Sequence, residues 1–365
     1  MKTPRQNQHK HQQSDAYYAM MESNTILVFD FIKELFKVVA REVPTDETSF
    51  FSFMIEFQEK RSGTVWLRPT LLWLFYKALG GQGNPESILP AMASIELLNS
   101  STYLFNSVLD AKLGYTTPER IEDAIITGNM YREIAQTAMT QQICDDETKK
   151  IILQRISTIN LAIYKGQYVD LRALRQDRNA QEISDLFTAR YAGFSGAFYS
   201  FIPELAGLLA QASHENIEIV RDFGLIYGNM VQLANDMGDC VPPINDLGHK
   251  EKPYKDTLSD LRNGRLNLPI WLALRHPDCN HSLIEETHIQ GRSVDETYKL
   301  AKRIGEHFIE LGVFDEVKKE LQKQLKIMNG LLDTLPKTEW RDFIKSHTRL
   351  FMLKNKWFRG LKKAQ

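Results

Sequence analysis

Apolar residues recur at threes and fours along almost the whole chain from Asn24 onward. TILVFDFIKELFKVV, PTLLWLFYKAL, AMASIELLNSSTYLFNSVLDA and RIEDAIITGNMYREIAQTAM keep that spacing. So do DLFTARYAGFSGAFYSFIPELAGLLAQA and IEIVRDFGLIYGNMVQLANDMGD, and none alternates in strand fashion over a useful length. This is the helical period, and the fold class it predicts is all-α. Several segments are apolar on nearly every side, which predicts central helices surrounded by others in one large bundle around a central apolar cavity.

The breaks fall where turn chemistry places them. GGQGNPES, from Gly80, separates two helices with Gly and Asn-Pro, and CVPPINDLGHKEKPYKDT, from Cys240, is a long loop following a polar helix end. No Pro/Gly/Ser-rich linker divides the chain, so residues 21–365 read as one helical domain. Residues 1–20 are rich in Gln, Lys and His and lack the apolar core of a signal peptide, and read as a disordered polar tail.

Composition narrows the function classes. The 365 residues, 43% of them hydrophobic, suffice for a large core. With 45 basic against 46 acidic residues no global field recruits nucleic acid, so any anion site must be built locally. Cys144, Cys240 and Cys279 are odd in number and widely spaced, which fits neither a disulfide framework nor a zinc site and makes a reducing cytoplasm the expectation. No apolar run approaches the roughly twenty residues that span a bilayer. The C-terminal RDFIKSHTRLFMLKNKWFRGLKKAQ reads as a last amphipathic helix packed on the bundle; its basic residues leave open peripheral contact with an anionic membrane.

Two constellations carry candidate chemistry. In GNMVQLANDMGD, Gln232, Asn235, Asp236 and Asp239 stand three and four apart and share one helical face. Two carboxylates with amide carbonyls form an oxygen set suited to Mg²⁺, which bridges carboxylates to a bound phosphate; a solvated helix end is the other reading of the same spacing. In ELLNSSTYLFNSVLDA, Asn106 and Asp110 are again at i and i+4, after an apolar stripe. Two such helices facing one another would put oxygen ligands at the mouth of an apolar cavity, an arrangement for a diphosphate head with a hydrocarbon tail.

From about Ser62 to about Ile270 the order of these segments resembles the trans-prenyltransferases, or polyprenyl diphosphate synthases, of the class I isoprenoid synthase superfamily. The family's GGKRLRP stretch is represented by Gly63 to Pro69, its ELIH…DDxxD helix by Glu96 to Asp110, and its AIxxGD helix by Ala124 to Asn129. VQLANDMGD stands for FQxxDDxxD, and DLRNGRLNLP, Asp260 to Pro269, for DLxxGKxTLP. The resemblance implies an isoprenoid synthase fold, Mg²⁺ as cofactor, an allylic prenyl diphosphate as substrate and a helical homodimer. It implies Asn235, Asp236, Asp239, Asn106 and Asp110 as metal ligands, with Asp236, Asp239 and Asp110 catalytic. Arg68, Lys252, Lys255, Arg265 and Gln232 are the implied diphosphate-binding side chains.

The departures are patterned. Asn106 and Ser107 stand where the family has two aspartates, Val65 and Trp66 replace a lysine and an arginine, AKLGYTTP offers Lys112 alone after the first motif, and Phe194 replaces the lysine of a Lys-Thr-Gly. In family members the first-stretch cations and the arginine after the first motif chiefly hold the diphosphate of isopentenyl diphosphate, the chain-extending co-substrate. What remains suits ionisation of one allylic diphosphate, followed by cyclisation, quenching or prenyl transfer. Phe105, Tyr103, Phe198, Phe194 and Tyr227 are candidate ring faces beside the carbocation, and equally plain core. Ser101 and Thr102 leave room for a longer tail. The alternatives are a noncatalytic or regulatory subunit of a prenyl diphosphate synthase, and an ordinary chain-elongating prenyltransferase.

Overall fold

The computed structural model describes residues 4–42, 48–62, 66–110, 115, 117–172, 185, 187, 189–240, 258–288 and 292–354. Among them the regular structure is helical and no strand element occurs, as the apolar period predicts. The chain divides into two compact units. The first comprises Met1–Ile156, Ile202–Arg221 and Leu332–His347; the second comprises Ser157–Phe201, Asp222–Leu331 and Thr348–Gln365. The boundaries between the two units fall inside helices, so no Pro- or Gly-rich linker marks them.

The first unit contains α1 (Pro4–Glu42), α2 (Thr48–Ser62), α3 (Leu67–Ala78), α4 (Leu89–Leu109) and α5 (Pro118–Thr140). Helix α1 begins at Pro4, within the stretch 1–20 read as a polar tail, and Tyr17 is buried with its hydroxyl bonded to His347 Nδ1. Tyr17, Met21, Val28, Ile32 and Leu35 are all buried and continue one helical stripe across the expected boundary, so apolar burial overrides the polar composition around them. Helix α4 is buried on every side from Ala91 to Ser101, the signature of a central helix. It packs closely on α5: a Cβ added at Gly128 would sit 3.0 Å from the Phe105 ring. Helix α5 starts sharply because Thr117 Oγ1 accepts the Arg120 N–H and Pro118 occupies the first turn, where its missing donor costs nothing.

Helices α6 (Asp146–Leu171), α7 (Ala197–Leu209) and α8 (His214–Cys240) run from one unit into the other. The second unit also holds α9 (Ser259–Arg262), α10 (Leu268–Arg275), α11 (His281–Glu285) and α12 (Val294–Glu310), and most of α13 (Val313–Thr334); α14 (Glu339–Lys354) lies largely in the first. A π-helical turn, Ala192–Gly196, leads into α7 and is held by glycines. A Cβ at Gly228 of α8 would lie 2.5 Å from the Ser195 carbonyl oxygen, and one at Gly166 of α6 would lie 2.5 Å from the Gly193 carbonyl carbon. The backbone therefore approaches at distances that only glycine permits. Among the described residues no helix is long and apolar enough to cross a membrane.

Candidate functional site

The second acid-rich motif sits on the last two turns of α8, and its four polar residues differ in burial. Asn235 is exposed, Gln232 and Asp239 are half-buried, and Asp236 is buried. The organising group is Arg190, 46 residues upstream and 3% exposed. Its Nη1 donates to Asp236 Oδ2 at 2.9 Å and its Nη2 to Asp236 Oδ1 at 3.3 Å, the two-pronged geometry that a planar guanidinium matches to a carboxylate. The same Nη2 reaches Asp260 Oδ2 at 3.3 Å, and Nε bonds Asp170 on α6. Tyr191 Oη donates to Asp236 Oδ2 at 2.8 Å, and Gln232 Nε2 to Asp236 Oδ1 at 3.0 Å. Asp236 thereby accepts four hydrogen bonds, about the full acceptor capacity of a carboxylate.

Asp239 is held differently. Its Oδ1 accepts the Ser259 N–H at 2.8 Å and the Ser259 hydroxyl at 3.0 Å, and its Oδ2 accepts the Asp260 N–H at 3.1 Å. The carboxylate caps the first turn of α9, whose free N–H groups favour negative charge. Leu258, the residue before that turn, has φ +59°. The left-handed backbone there costs energy for a side chain such as leucine and is held by burial and the Leu258 N–H to Asp239 carbonyl bond. Asn267 closes the network: its Nδ2 donates to Asp260 Oδ2 at 2.9 Å, and its Oδ1 caps α10 through the Ile270 N–H.

Charge does not balance in this cluster. Asp170, Asp236 and Asp260 pair with the guanidinium of Arg190, Arg265 lies 3.6 Å from Asp170, and Asp239 stands beside Asp260 with no guanidinium partner among the described residues. Burial pushes Asp236 up to about 6 even beside Arg190. Burial and the neighbouring Asp260 charge push Asp239 up to about 8, and burial raises Asp170 against the pull of Arg190. Burial opposes the charge on Arg190, but the Asp236, Asp170 and Asp260 carboxylates together hold it firmly protonated.

Among the described residues no three His, Cys, Asp or Glu side chains converge closely enough to hold a metal. The hard oxygen donors, four carboxyl groups against two guanidinium groups, nevertheless fit a divalent ion at one place. Asp239 Oδ2 accepts a single hydrogen bond among the described residues, and Asn235 is exposed beside it, whereas the oxygens of Asp236 are committed to Arg190, Tyr191 and Gln232.

The remaining candidates lie elsewhere or outside the described residues. Asn106 is half-buried on the last turn of α4, and Asp110 is the C-cap of that helix, its N–H bonded to the Asn106 carbonyl at 2.9 Å. Ser107 is buried with its hydroxyl turned back to the Tyr103 carbonyl. Arg68 is half-buried in the first turn of α3. Lys252, Lys255, Lys112 and Val65 lie outside the described residues. Of the five aromatics, Phe198 and Tyr227 are buried, Phe194 is half-buried in the π turn, Phe105 packs against Gly128 under Arg132, and Tyr103 is exposed. The spacing of local motifs gave no pointer to Arg190, Tyr191, Asp170 or Ser259. The available signal was a lone arginine inside the apolar run DLFTARYAGFSGAF, since a cation buried in a helix demands carboxylate partners.

The helical architecture and the acid-rich end of α8 define a protein of the isoprenoid synthase fold. A family model described as polyprenyl synthetase matches residues 60–304, well over half of the chain, and the chain belongs to that family. It is 26% identical to the geranylgeranyl diphosphate synthase of Sulfolobus acidocaldarius over 213 residues, 56% of this chain and 61% of that protein. It is 22% identical to the octaprenyl diphosphate synthase of Escherichia coli over 289 residues, 76% of this chain and 81% of that protein. The matches cover only 58–61% of the length of the first three curated relatives. Among solved structures, the geranylgeranyl pyrophosphate synthetase of Pyrococcus horikoshii superposes with a TM-score of 0.72 at 17% identity, covering 92% of this chain and 98% of that chain.

Proposed function

We propose that the chain binds an allylic prenyl diphosphate with Mg²⁺ and promotes departure of the diphosphate, the first step of a prenyl transfer, cyclisation or quenching reaction. The observation that carries this reading is the cluster of Asp236, Asp239, Asp260 and Asp170 at the end of α8, four carboxyl groups to two arginines, in a member of a family whose relatives are named prenyl diphosphate synthases. Asp239 and Asn235 would hold the ion, which when bound supplies electrostatic stabilisation to the leaving diphosphate. Asp236 and Arg190 fix the helix end on which those ligands stand, and Ser259 and Asp260 fix the Asp239 carboxylate through their N–H groups. The reading keeps Asp110 and Asn106 as the oxygens of the first motif and Arg68, Lys252, Lys255 and Arg265 as the residues that the resemblance assigns to diphosphate. Ordinary elongation is disfavoured because Val65, Trp66 and Phe194 offer no charge to a second diphosphate. The reading carries with it a homodimer, for which Leu161, Tyr164 and Tyr168 form an exposed apolar face on α6, and peripheral membrane contact through the basic C-terminus.

One observation favours a second reading, a noncatalytic subunit of a prenyl diphosphate synthase: Asp236 is spent on internal bonds. Incubation of the purified chain with Mg²⁺ and ten-, fifteen- or twenty-carbon allylic diphosphates, with and without isopentenyl diphosphate, separates the readings by mass spectrometry of the products. Turnover of the allylic substrate alone is the expected result. Elongated products would overturn the loss of the co-substrate site, and absence of turnover together with tight binding to an active synthase would establish the subunit reading.

A further inference from the structure

We propose that a cavity beside α8, turned away from the acid-rich motif, is a binding site for a small organic cation, a protonated or quaternary amine carrying an aromatic or branched apolar body. The cavity has a volume of about 510 Å³, lies wholly within the second unit and is lined only by described residues. That volume is ample for a small organic molecule.

Its apolar wall is a corner of three rings with Leu233 beside them. Phe187 stacks on Tyr191 at a centroid distance of 5.8 Å and meets Trp271 edge-on at 6.0 Å. Trp271 stands at 77° to Phe187, so the wall turns a corner there, and a ring face open to the cavity attracts positive charge. Trp271 already serves this way on one side, with the Arg275 guanidinium 4.8 Å above its centroid.

The mouth selects for charge. Glu316, Glu320 and Gln324 stand on successive turns of α13 and all line the cavity. Gln324 donates its amide to Glu320 Oε1 at 2.5 Å, so that donor is consumed within the helix. The Glu316 carboxylate has no side-chain partner among the described residues. Lys323, which approaches Glu320, and Arg275 do not line the cavity. Asn229 adds an amide at the side wall. An anion entering here would face two carboxylates, which separates this cavity from any diphosphate site. The two are joined physically by Tyr191, whose ring forms part of the wall and whose hydroxyl donates to Asp236.

The test is isothermal titration calorimetry of the full chain with benzyltrimethylammonium, its neutral counterpart benzyl alcohol and its anionic counterpart phenylmethanesulfonate. The cation is expected to bind with sub-millimolar affinity, the alcohol roughly tenfold or more weaker and the sulfonate not at all, with the cation's affinity falling as salt is raised. The double variant Glu316→Gln/Glu320→Gln, on the surface side of α13, is expected to keep the parent melting temperature and lose about tenfold in affinity for the cation. Trp271→Leu is expected to lose at least as much. Equal binding of alcohol and cation, unchanged affinity in the double glutamate variant, or no binding of the cation at millimolar concentration would each overturn the proposal.

Discussion

The ends of α4 and α8 carry the two halves of the same family pattern, and they have diverged in opposite directions. At the end of α4 the polar residues are Asn106, Ser107 and Asp110, the hydroxyl is turned back on its own helix, and the carboxylate occupies the C-cap. At the end of α8 every acidic group is locked: Asp236 into a bidentate ion pair, Asp239 onto two backbone N–H groups of the next helix. Both are helix C-termini, where the backbone dipole disfavours negative charge. The second motif keeps its acids because Arg190 and the start of α9 supply the positive partners. The lesson is that the charge of such a motif is sustained by partners distant in sequence.

The largest effect expected from this contrast follows removal of the hub. Arg190→Met leaves Asp236, Asp170 and Asp260 buried without their guanidinium. Breaking a buried pair from one side costs about 3–5 kcal/mol, read as a shift in the urea midpoint with unchanged slope. A loss below about 1 kcal/mol would show that the carboxylates simply take up protons, and that Arg190 does not organise the second motif.

The all-helical fold was legible because the 3.6-residue period is local and strong in nearly every segment. GNMVQLANDMGD was equally legible as a polar face on an apolar helix. The partners of that face were not, because Arg190 and Asp170 meet it only through tertiary packing and Ser259 only across the chain that follows Cys240. The place of Tyr17 was not legible for a related reason: it stands in a polar run, and its partner His347 is 330 residues away. The division into two units has no mark in the sequence because its boundaries fall inside helices.

Tyr17 and His347 give the next effect, in the first unit. Burial pulls the His347 imidazole down to about 4 from its ordinary 6.5, and its Nδ1 shares a hydrogen bond with the Tyr17 hydroxyl. With the folded value depressed, the unfolded chain binds a proton below pH 6.5 that the folded chain does not. Stability from this group is therefore complete above pH 6.5 and is lost as pH falls toward 4, by about 3 kcal/mol over that interval. Denaturant midpoints measured across the interval should show the slope in the parent, and a much flatter one in His347→Gln; an equal slope in both would assign the acid response to other groups.

Gly228→Ala acts on the second motif without touching a charge. The new methyl would lie 2.5 Å from the Ser195 carbonyl oxygen and 2.8 Å from Gly196 Cα, so α8 must shift off the π turn. Overpacking of this kind costs about 1–3 kcal/mol. The Ser195 hydroxyl to Gln232 bond and the Gln232 to Asp236 bond stand on the same contact. Hydrogen exchange in the 228–240 segment should therefore quicken more than that in α4. Uniform quickening across both helices would mean that the close approach stabilises the fold generally and does not specifically brace the motif.

The smallest effect is the sharpest check on the contrast. Asp110→Asn removes a carboxylate from the C-cap of α4, where the helix dipole opposes it. The change in stability should stay within about 0.5 kcal/mol and lean toward stabilisation. A loss above about 1 kcal/mol would mean that Asp110 is as deeply committed to the fold as Asp236. The two motifs would then differ only in how many acids they retain.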